Sequence, residues 1–315
     1  MATYSYSGQR TINENDPTKG INTYEFYDRN LLENAREEFI VSNFTSKKSL
    51  PKYEGDGVVF SYYEHIDTFE TPLTEGQTPA GSTLEKVNVR GKVSQYGSFV
   101  PYTDIVNIHG EDGARFISDV TQNLGGAAGQ TQEKIIIDTI IGEATQIVFD
   151  TDLETTFKAA ELSLRNALAM KFKTMITGSV NYGTTPIRPA YVGIVNPDGA
   201  ALLETMAGYK GVEEYGYTDG LLPNEVGAYR GIRFCETTLM PNNSVDGKLQ
   251  AIVLGEEAVA EVGIRGMKRI ETIIKELGSA KADDYLNQNG SVGCKFHLAA
   301  VTLRPDWCAT VAMEA

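Results

Sequence analysis

Residue types that carry acid–base, nucleophilic or metal chemistry are sparse along this chain of 315 residues, and they do not gather into a motif. There are three histidines. No His-Glu-x-x-His, Gly-x-Ser-x-Gly or Gly-Lys-Ser/Thr string is present to place a zinc ligand set, a nucleophile elbow or a phosphate-gripping lysine. The densest cluster, His109-Gly110-Glu111-Asp112, sets an imidazole and two carboxylates side by side and has the chemistry to gather a hard cation. Acids just ahead of a helix are, however, already accounted for by capping and by the helix dipole. Glu256-Glu257 reads in the same way, as the opening of a helix over 256–262, and Asp283-Asp284 sits in a loop. Neither pair has a neighbour that would raise a catalytic carboxylate's pKa. Gly125-Gly126-Ala127-Ala128-Gly129 has the composition of a phosphate cradle without a strand before it or a lysine after it. Cys235, Cys294 and Cys308 are too few and too scattered for a disulfide framework or a zinc site, which fits a reducing compartment. The expectation is therefore no catalytic residue, no cofactor and no metal, in a chain that is not an enzyme.

Charge narrows the partners. A formal net charge of −14 repels a phosphate backbone unless a local basic patch overrides it. The densest basic pairs, Lys47-Lys48 and Lys268-Arg269, read as solvated faces, so no such patch is visible in the sequence. The polar start of the chain and the lack of an apolar run of about 20 residues predict neither an export signal nor a membrane span.

Few chemical groups leave the elements themselves as the carriers of function. Residues 1–22, polar and without periodicity, read as an extended arm. From Thr23 to Phe44, Tyr27, Leu31, Ala35 and Phe39 recur every fourth residue, an amphipathic helix that needs a partner surface. Residues 57–67 and 84–102 read as strands, the second with Val87, Val89 and Val93 alternating against Lys86, Asn88, Arg90 and Lys92. The Pro/Gly-punctuated link from Thr71 to Gly81 makes 57–102 one long hairpin with a wide tip. From Asp112 to about Phe149, Ile117, Val120, Leu124, Ala128, Ile135 and Ile141 keep helical spacing. Gly125, Gly126 and Gly129 mark a bend in that helix or a close backbone approach.

A second helix spans about 152–175. Tyr191 to Val195 forms a strand that runs through Asn196-Pro197 into a helix at 198–207, with asparagine suited to the N-cap and proline to the first helical position. The same pattern is read at 251–262, with a loop region at 208–231 between the two. After Arg269 the chain returns to strands, introduced by a turn at Asn287 to Gly290, with Val292, Cys294, Phe296 and Leu298 on one face.

Arm, helix, long hairpin, long helix, α/β region and returning strands form an order that resembles the coat proteins of tailed double-stranded DNA phages, an α+β chain of the Hong Kong 97-type. The strings TPLTEGQTPAG (71–81), LGSAKADDYLNQNGSVGCK (277–295) and Val253-Leu254-Gly255 are similar to segments of major capsid proteins from podoviruses that carry a virion RNA polymerase. The resemblance runs from about residue 57 to the end.

It implies an N-terminal arm and helix over 1–56, an extended loop over 57–102, and a peripheral domain with a spine helix over 103–177. An axial domain over 178–265 and a return to peripheral strands over 266–315 complete the chain. The implied function is self-assembly into an icosahedral shell, in pentameric and hexameric capsomers, that encloses double-stranded DNA without binding it specifically. A portal protein, with scaffold or decoration proteins, would be the other partners, and the shell would assemble in the host bacterial cytoplasm and end in the virion. Inter-subunit contacts are expected from Leu31 and Phe39 of the first helix, from Pro72, Leu73, Glu75 and Pro79 at the hairpin tip, and from Arg90 and Lys92 on its charged face. The competing readings are an encapsulin-like shell of a cellular nanocompartment, with protein cargo in place of DNA, and an α/β enzyme built on the strand–turn–helix units.

Overall fold

One 14-residue strand, Asn289–Thr302, organises half of this chain, and the reason lies in its alternation. Val292, Cys294, Phe296 and Leu298 are buried on one face while Gly293, Lys295 and His297 are half-buried on the other, so strands pair on its edges and a helix covers the apolar side. The computed structural model describes residues 39–66, 68–70, 72–78, 81–105, 113–147, 152–173, 175–176, 186–216, 220–241, 249–267, 269–277, 286 and 288–313. Their strands are β1 (Ser46–Leu50), β2 (Gly57–Tyr63), β3 (Lys86–Lys92), β4 (Ser94–Thr103), β5 (Thr145–Ile147), β6 (Tyr191–Val195) and β7 (Lys210–Gly211). β8 (Glu225–Tyr229), β9 (Ile232–Glu236), β10 (Leu249–Leu254), β11 (Val259–Ile264), β12 (Glu271–Lys275), β13 (Asn289–Thr302) and β14 (Cys308–Met313) follow. The α-helices are α1 (Gly113–Glu143), α2 (Leu153–Asn166) and α3 (Pro197–Glu204).

A five-stranded sheet runs β1-β11-β13-β12, with β4 also paired to β13. A seven-stranded mixed sheet runs β5-β14-β10-β6-β9-β8-β7, and β2 pairs with β3 in a separate ribbon. β6 lies between β10 and β9 and all five of its residues are buried, as an unbroken apolar run demands. α1 joins the two sheets. Leu124 and Ala128 pack with Tyr102, Val292, Cys294 and Phe296, whereas Ile136, Ile137 and Ile140 enter the main core with Ile40, Val41 and Phe44.

Several boundaries differ from the sequence expectation, each for a tertiary reason. α1 stops at Glu143 because Thr145–Ile147 is taken as a parallel strand beside β14. It is unbroken across Gly125, Gly126 and Gly129. α2 stops at Asn166, nine residues short of 175, where Leu168 turns left-handed (φ 56°) and the Trp307 indole N–H donates to the Ala167 carbonyl at 3.0 Å.

The helix expected at 256–262 is a strand. A turn places Glu257 at φ 60°, and Val259, Val262 and Ile264 then extend along β11 between β1 and β13. The region 208–231, expected as loop, contributes β7 and β8 to the sheet edge. Asn289 and Gly290, expected in a turn, already pair with Thr103 and Tyr102.

Sheet membership also cuts across the expected segments. β5 and β14 join the seven-stranded sheet from outside 178–265, and β11 leaves that span for the five-stranded sheet. α3 matches its sequence signals: the Asn196 side chain accepts the Gly199 N–H at 2.8 Å and proline sits in the first turn. The N-terminal arm and residues 23–38 of the expected first helix lie outside the described residues, and the end of that helix differs from expectation: Val41–Phe44 is a short 3-10 turn that leads into β1.

Candidate functional site: an anchored hairpin with an exposed tip

The expected hairpin divides at Val93. Gly57↔Lys92 to Tyr63↔Lys86 forms the ribbon β2–β3, whereas Ser94–Thr103 pairs with Leu298–Asn289 of β13. Alternation explains the ribbon: Val58, Phe60, Val87 and Val89 lie on the half-buried face, and Lys86, Asn88, Arg90 and Lys92 on the exposed one.

That apolar face does not wait for another chain at its root. Val58, Phe60, Val89 and Val93 pack with Ala299 and Val301 of β13 and with Leu50 and Val262. The approach is so close that a Cβ on Gly91 would stand 2.2 Å from the Val301 Cγ2, which is why glycine occupies this register position. The Arg304 guanidinium lies 4.5 Å from the Tyr62 ring and 4.4 Å from the Trp307 ring, tying the ribbon to the turn that leads into β14. On the polar side the Val93 N–H donates to the Asp56 carbonyl at 2.8 Å. Lys92 pairs with the Asp56 carboxylate at 3.2 Å, and its hydrogen bond holds that exposed carboxyl below its ordinary pKa.

The tip is the opposite of the root. Ile66, Phe69, Leu73 and Leu84 are exposed, Phe69 at 84% and Leu73 at 77%. Thr74 to Gln77 closes a turn, with the Gln77 N–H donating to the Thr74 carbonyl at 3.1 Å and Gly76 at φ 80°, the left-handed position a type II turn reserves for glycine. The curl encloses an open hollow of about 940 Å³ bordered by Phe69, Pro72, Leu73 and Thr74. Of the expected contact residues, Pro72, Leu73 and Glu75 are exposed here, Arg90 and Lys92 are exposed on the ribbon, and Leu31 and Pro79 lie outside the described residues.

No family model matches the sequence, and no curated protein is found similar to it. Solved structures do match. The capsid structure of the cyanophage P-SCSP1u aligns with a TM-score of 0.64 at 13% identity, covering 93% of this chain and 93% of that one. The acid-stable capsid structure of the Helicobacter pylori bacteriophage KHP30 gives 0.64 at 12% identity over 97% of this chain and 100% of that one. A Gordonia phage Cozz structure gives 0.63 at 13% identity, covering 100% of this chain and 98% of that one. The fold is the Hong Kong 97-type capsid fold.

Within this capsid fold the structure reveals two groupings that the sequence pattern concealed. The first is a buried latch on the long helix. Glu133 accepts the Val41 and Ser42 N–H groups, each at 3.0 Å, so it fastens the chain just before β1 to α1. Arg269 donates to the Gln132 side chain at 2.8 Å, pairs with Glu261 at 3.3 Å and lies 5.5 Å from the Phe39 ring. Arg269 is thus engaged within its own chain and not part of the solvated basic face expected from Lys268-Arg269. Burial raises the Glu133 pKa, and the two N–H groups partly offset the shift.

Phe39, expected between subunits, has its ring on the α1 backbone: a Cβ on Gly129 would meet its Cζ at 2.0 Å. Close approach is therefore what Gly129 serves, while a Cβ on Gly125 would meet nothing within 4 Å. The visible signal was Gln132-Glu133 interrupting the apolar face of an amphipathic helix.

The second grouping corrects the reading that no basic patch exists. Lys158 and Arg165 of α2, with Lys171, Arg188 and Arg230 from beyond it, line one pocket. Among the described residues lining it, Glu161 is the one carboxylate. The Cys235 and Cys308 thiols are buried and pushed up to about 12, leaving them protonated. Among the described residues, no three His, Cys, Asp or Glu side chains are placed to hold a metal ion. His109, Glu111, Asp112, Asp283 and Asp284 lie outside the described residues.

Proposed function

We propose that this chain is the major capsid subunit of a tailed double-stranded DNA phage, assembling with copies of itself into the icosahedral shell around the genome. The observation that carries the reading is the asymmetry of the hairpin, whose root is clamped to β13 of its own chain while its tip exposes Ile66, Phe69, Leu73 and Leu84. An exposed apolar surface held out on a fixed arm is an unfinished contact, and a neighbouring copy completes it. The net charge of −14 supports a container role, since a wall that repels phosphate leaves packed DNA free to slide.

On this reading α1 is the spine of the peripheral domain, the seven-stranded sheet carries the axial domain, and the hairpin laps a neighbour. The strings at 71–81 and 277–295 support placement nearest the podoviruses that carry a virion RNA polymerase. Capsomers would be pentamers and hexamers, with a portal protein, and scaffold or decoration proteins, as further partners in the host cytoplasm. The capsid likeness also supports the absence of catalysis, and an encapsulin-like shell draws no support from the structures matched above.

The test is expression of the full chain followed by electron microscopy and sedimentation. Closed shells of uniform size are expected, with DNA as the content of native particles. A chain that stays monomeric at high concentration overturns the proposal, and particles filled with protein cargo replace it with the nanocompartment reading.

A further inference from the structure

Lys158 and Arg165 on α2, Lys171 just beyond it, and Arg188 and Arg230 from later in the chain line one open pocket of about 470 Å³ with a single acid, Glu161. Five positive side chains less one carboxylate leave a surplus of four. That is unusual in a chain with 42 acidic and 28 basic residues, where an ordinary solvated face would interleave both signs. Glu161 is already spoken for: it is buried and lies 3.8 Å from Arg165. Two of the cations are held against rings, Lys171 at 5.0 Å from Tyr191 and Arg230 at 5.9 Å from Tyr229, so part of the set is fixed in place before any anion arrives.

The stretch that supplies the cations is also apolar at its surface. Leu162 lines the pocket at 44% exposure and exposed Pro189 borders it, while Leu168, 65% exposed, and Met170 lie just before Lys171 in sequence. Leu168 reaches that exposure from a left-handed backbone, which a leucine adopts only at a cost. A free phosphate or a nucleic-acid backbone would use the charge and leave the apolar rim wet. A protein surface uses both.

We propose that this pocket and its rim receive carboxylates, flanked by apolar side chains, from a neighbouring copy of the same chain. It would be a second inter-subunit contact, separate from the hairpin tip. The inference rests on the shell reading above. A copy is the fitting occupant because each copy carries a net charge of −14, so every neighbour brings carboxylates. A ring closed by head-to-tail contacts also requires two different, complementary patches on each subunit, and this pocket supplies the positive one.

The experiment uses shells assembled from an equal mixture of ¹⁴N- and ¹⁵N-labelled full-length chain, treated with a zero-length carbodiimide and read by mass spectrometry. Cross-links from Lys158 or Lys171 to carboxylates of the other isotope are expected. In parallel, Lys158→Glu with Arg188→Glu, both at exposed positions, should keep the wild-type circular dichroism while raising the concentration needed for assembly by about tenfold or more at low salt. Shells that form equally well from the variant, with Lys158 and Lys171 cross-linked only within their own chain or not at all, overturn the inference and leave the shell reading standing. Protection of these lysines only in DNA-filled particles overturns it in favour of phosphate. Wild-type chain that forms no shells overturns the shell reading and this inference with it.

Discussion

Replacing Phe69 and Leu73 together by serine tests the hairpin tip without touching the subunit's core. Burying a leucine or phenylalanine side chain is worth about 1.5–3 kcal/mol, and Phe69 at 84% and Leu73 at 77% exposure still have most of that to gain. The pair therefore contributes about 3–5 kcal/mol to each lap contact if a neighbour covers it. At about 1.4 kcal/mol per tenfold, association weakens by about two to three and a half orders of magnitude. Because neither side chain lies in a core cluster, the subunit's own stability should change by no more than about 0.5 kcal/mol. The assay is the threshold concentration for shell formation, followed by light scattering and sedimentation velocity, with thermal unfolding of the unassembled subunit as the control. A double variant that assembles at the wild-type threshold would refute the lap, and one that loses its unfolding transition would place the tip in the subunit's own fold.

Three further substitutions probe what holds the arm and the sheets. Gly91→Ala puts a Cβ 2.2 Å from the Val301 Cγ2, so either the ribbon lifts off β13 or the valine moves, at about 1–3 kcal/mol; an unchanged melting temperature would contradict the close approach. Glu225→Ala removes the carboxylate that accepts from Arg233 Nε at 2.7 Å and from the Tyr215 hydroxyl at 3.1 Å, leaving a buried guanidinium without its counter-charge and with only the Gly220 carbonyl at 2.8 Å to accept from it. A loss of about 3–5 kcal/mol is expected in denaturant titration, and under about 1 kcal/mol would mean that water reaches the arginine. Glu133→Gln separates the latch's charge from its shape. The wild-type carboxyl is raised above 4.5, so the folded chain holds its proton to higher pH than the unfolded chain. That contribution is complete below 4.5 and is lost as pH rises through the folded value. The wild type should therefore lose stability relative to the glutamine variant as pH climbs from 4.5, and a flat difference counts against the assignment.

What was legible in the sequence was what local periodicity dictates. The ribbon's alternation, the β13 face, the Asn196-Pro197 helix start and the long helix all depend on neighbours in sequence, and each stands in the structure. The misread segments are those where a distant strand decided the outcome. Val259 to Ile264 follows a strand and a pair of glutamates, which suits a helix locally, yet β1 and β13 capture it on both edges. α2 ends early because Trp307, 140 residues away, takes the Ala167 carbonyl. The same limit hid the latch and the basic pocket. Glu133 meets Val41 and Ser42 across more than 90 residues, and the five pocket cations span 158 to 230, so no window of sequence contains either set.

The division at Val93 changes what the hairpin can do mechanically. A 46-residue hairpin hinged only at its ends would pay most of its conformational entropy when it docked, so its contacts would be weak and its direction variable. Here the chain passes from β3 into β4 across a single residue, and β4 continues along ten residues of β13. The ribbon's apolar face is seated on the end of that same β13, with Gly91 setting the distance and Arg304 gripping Tyr62. The ribbon's direction is therefore fixed by the core of the five-stranded sheet, and on the proposed lap it would be set before a neighbour arrived. If the shell reading holds, an arm preorganised at its root and apolar at its end would put most of its binding energy into the contact itself, as a closed shell of identical subunits requires of each lap.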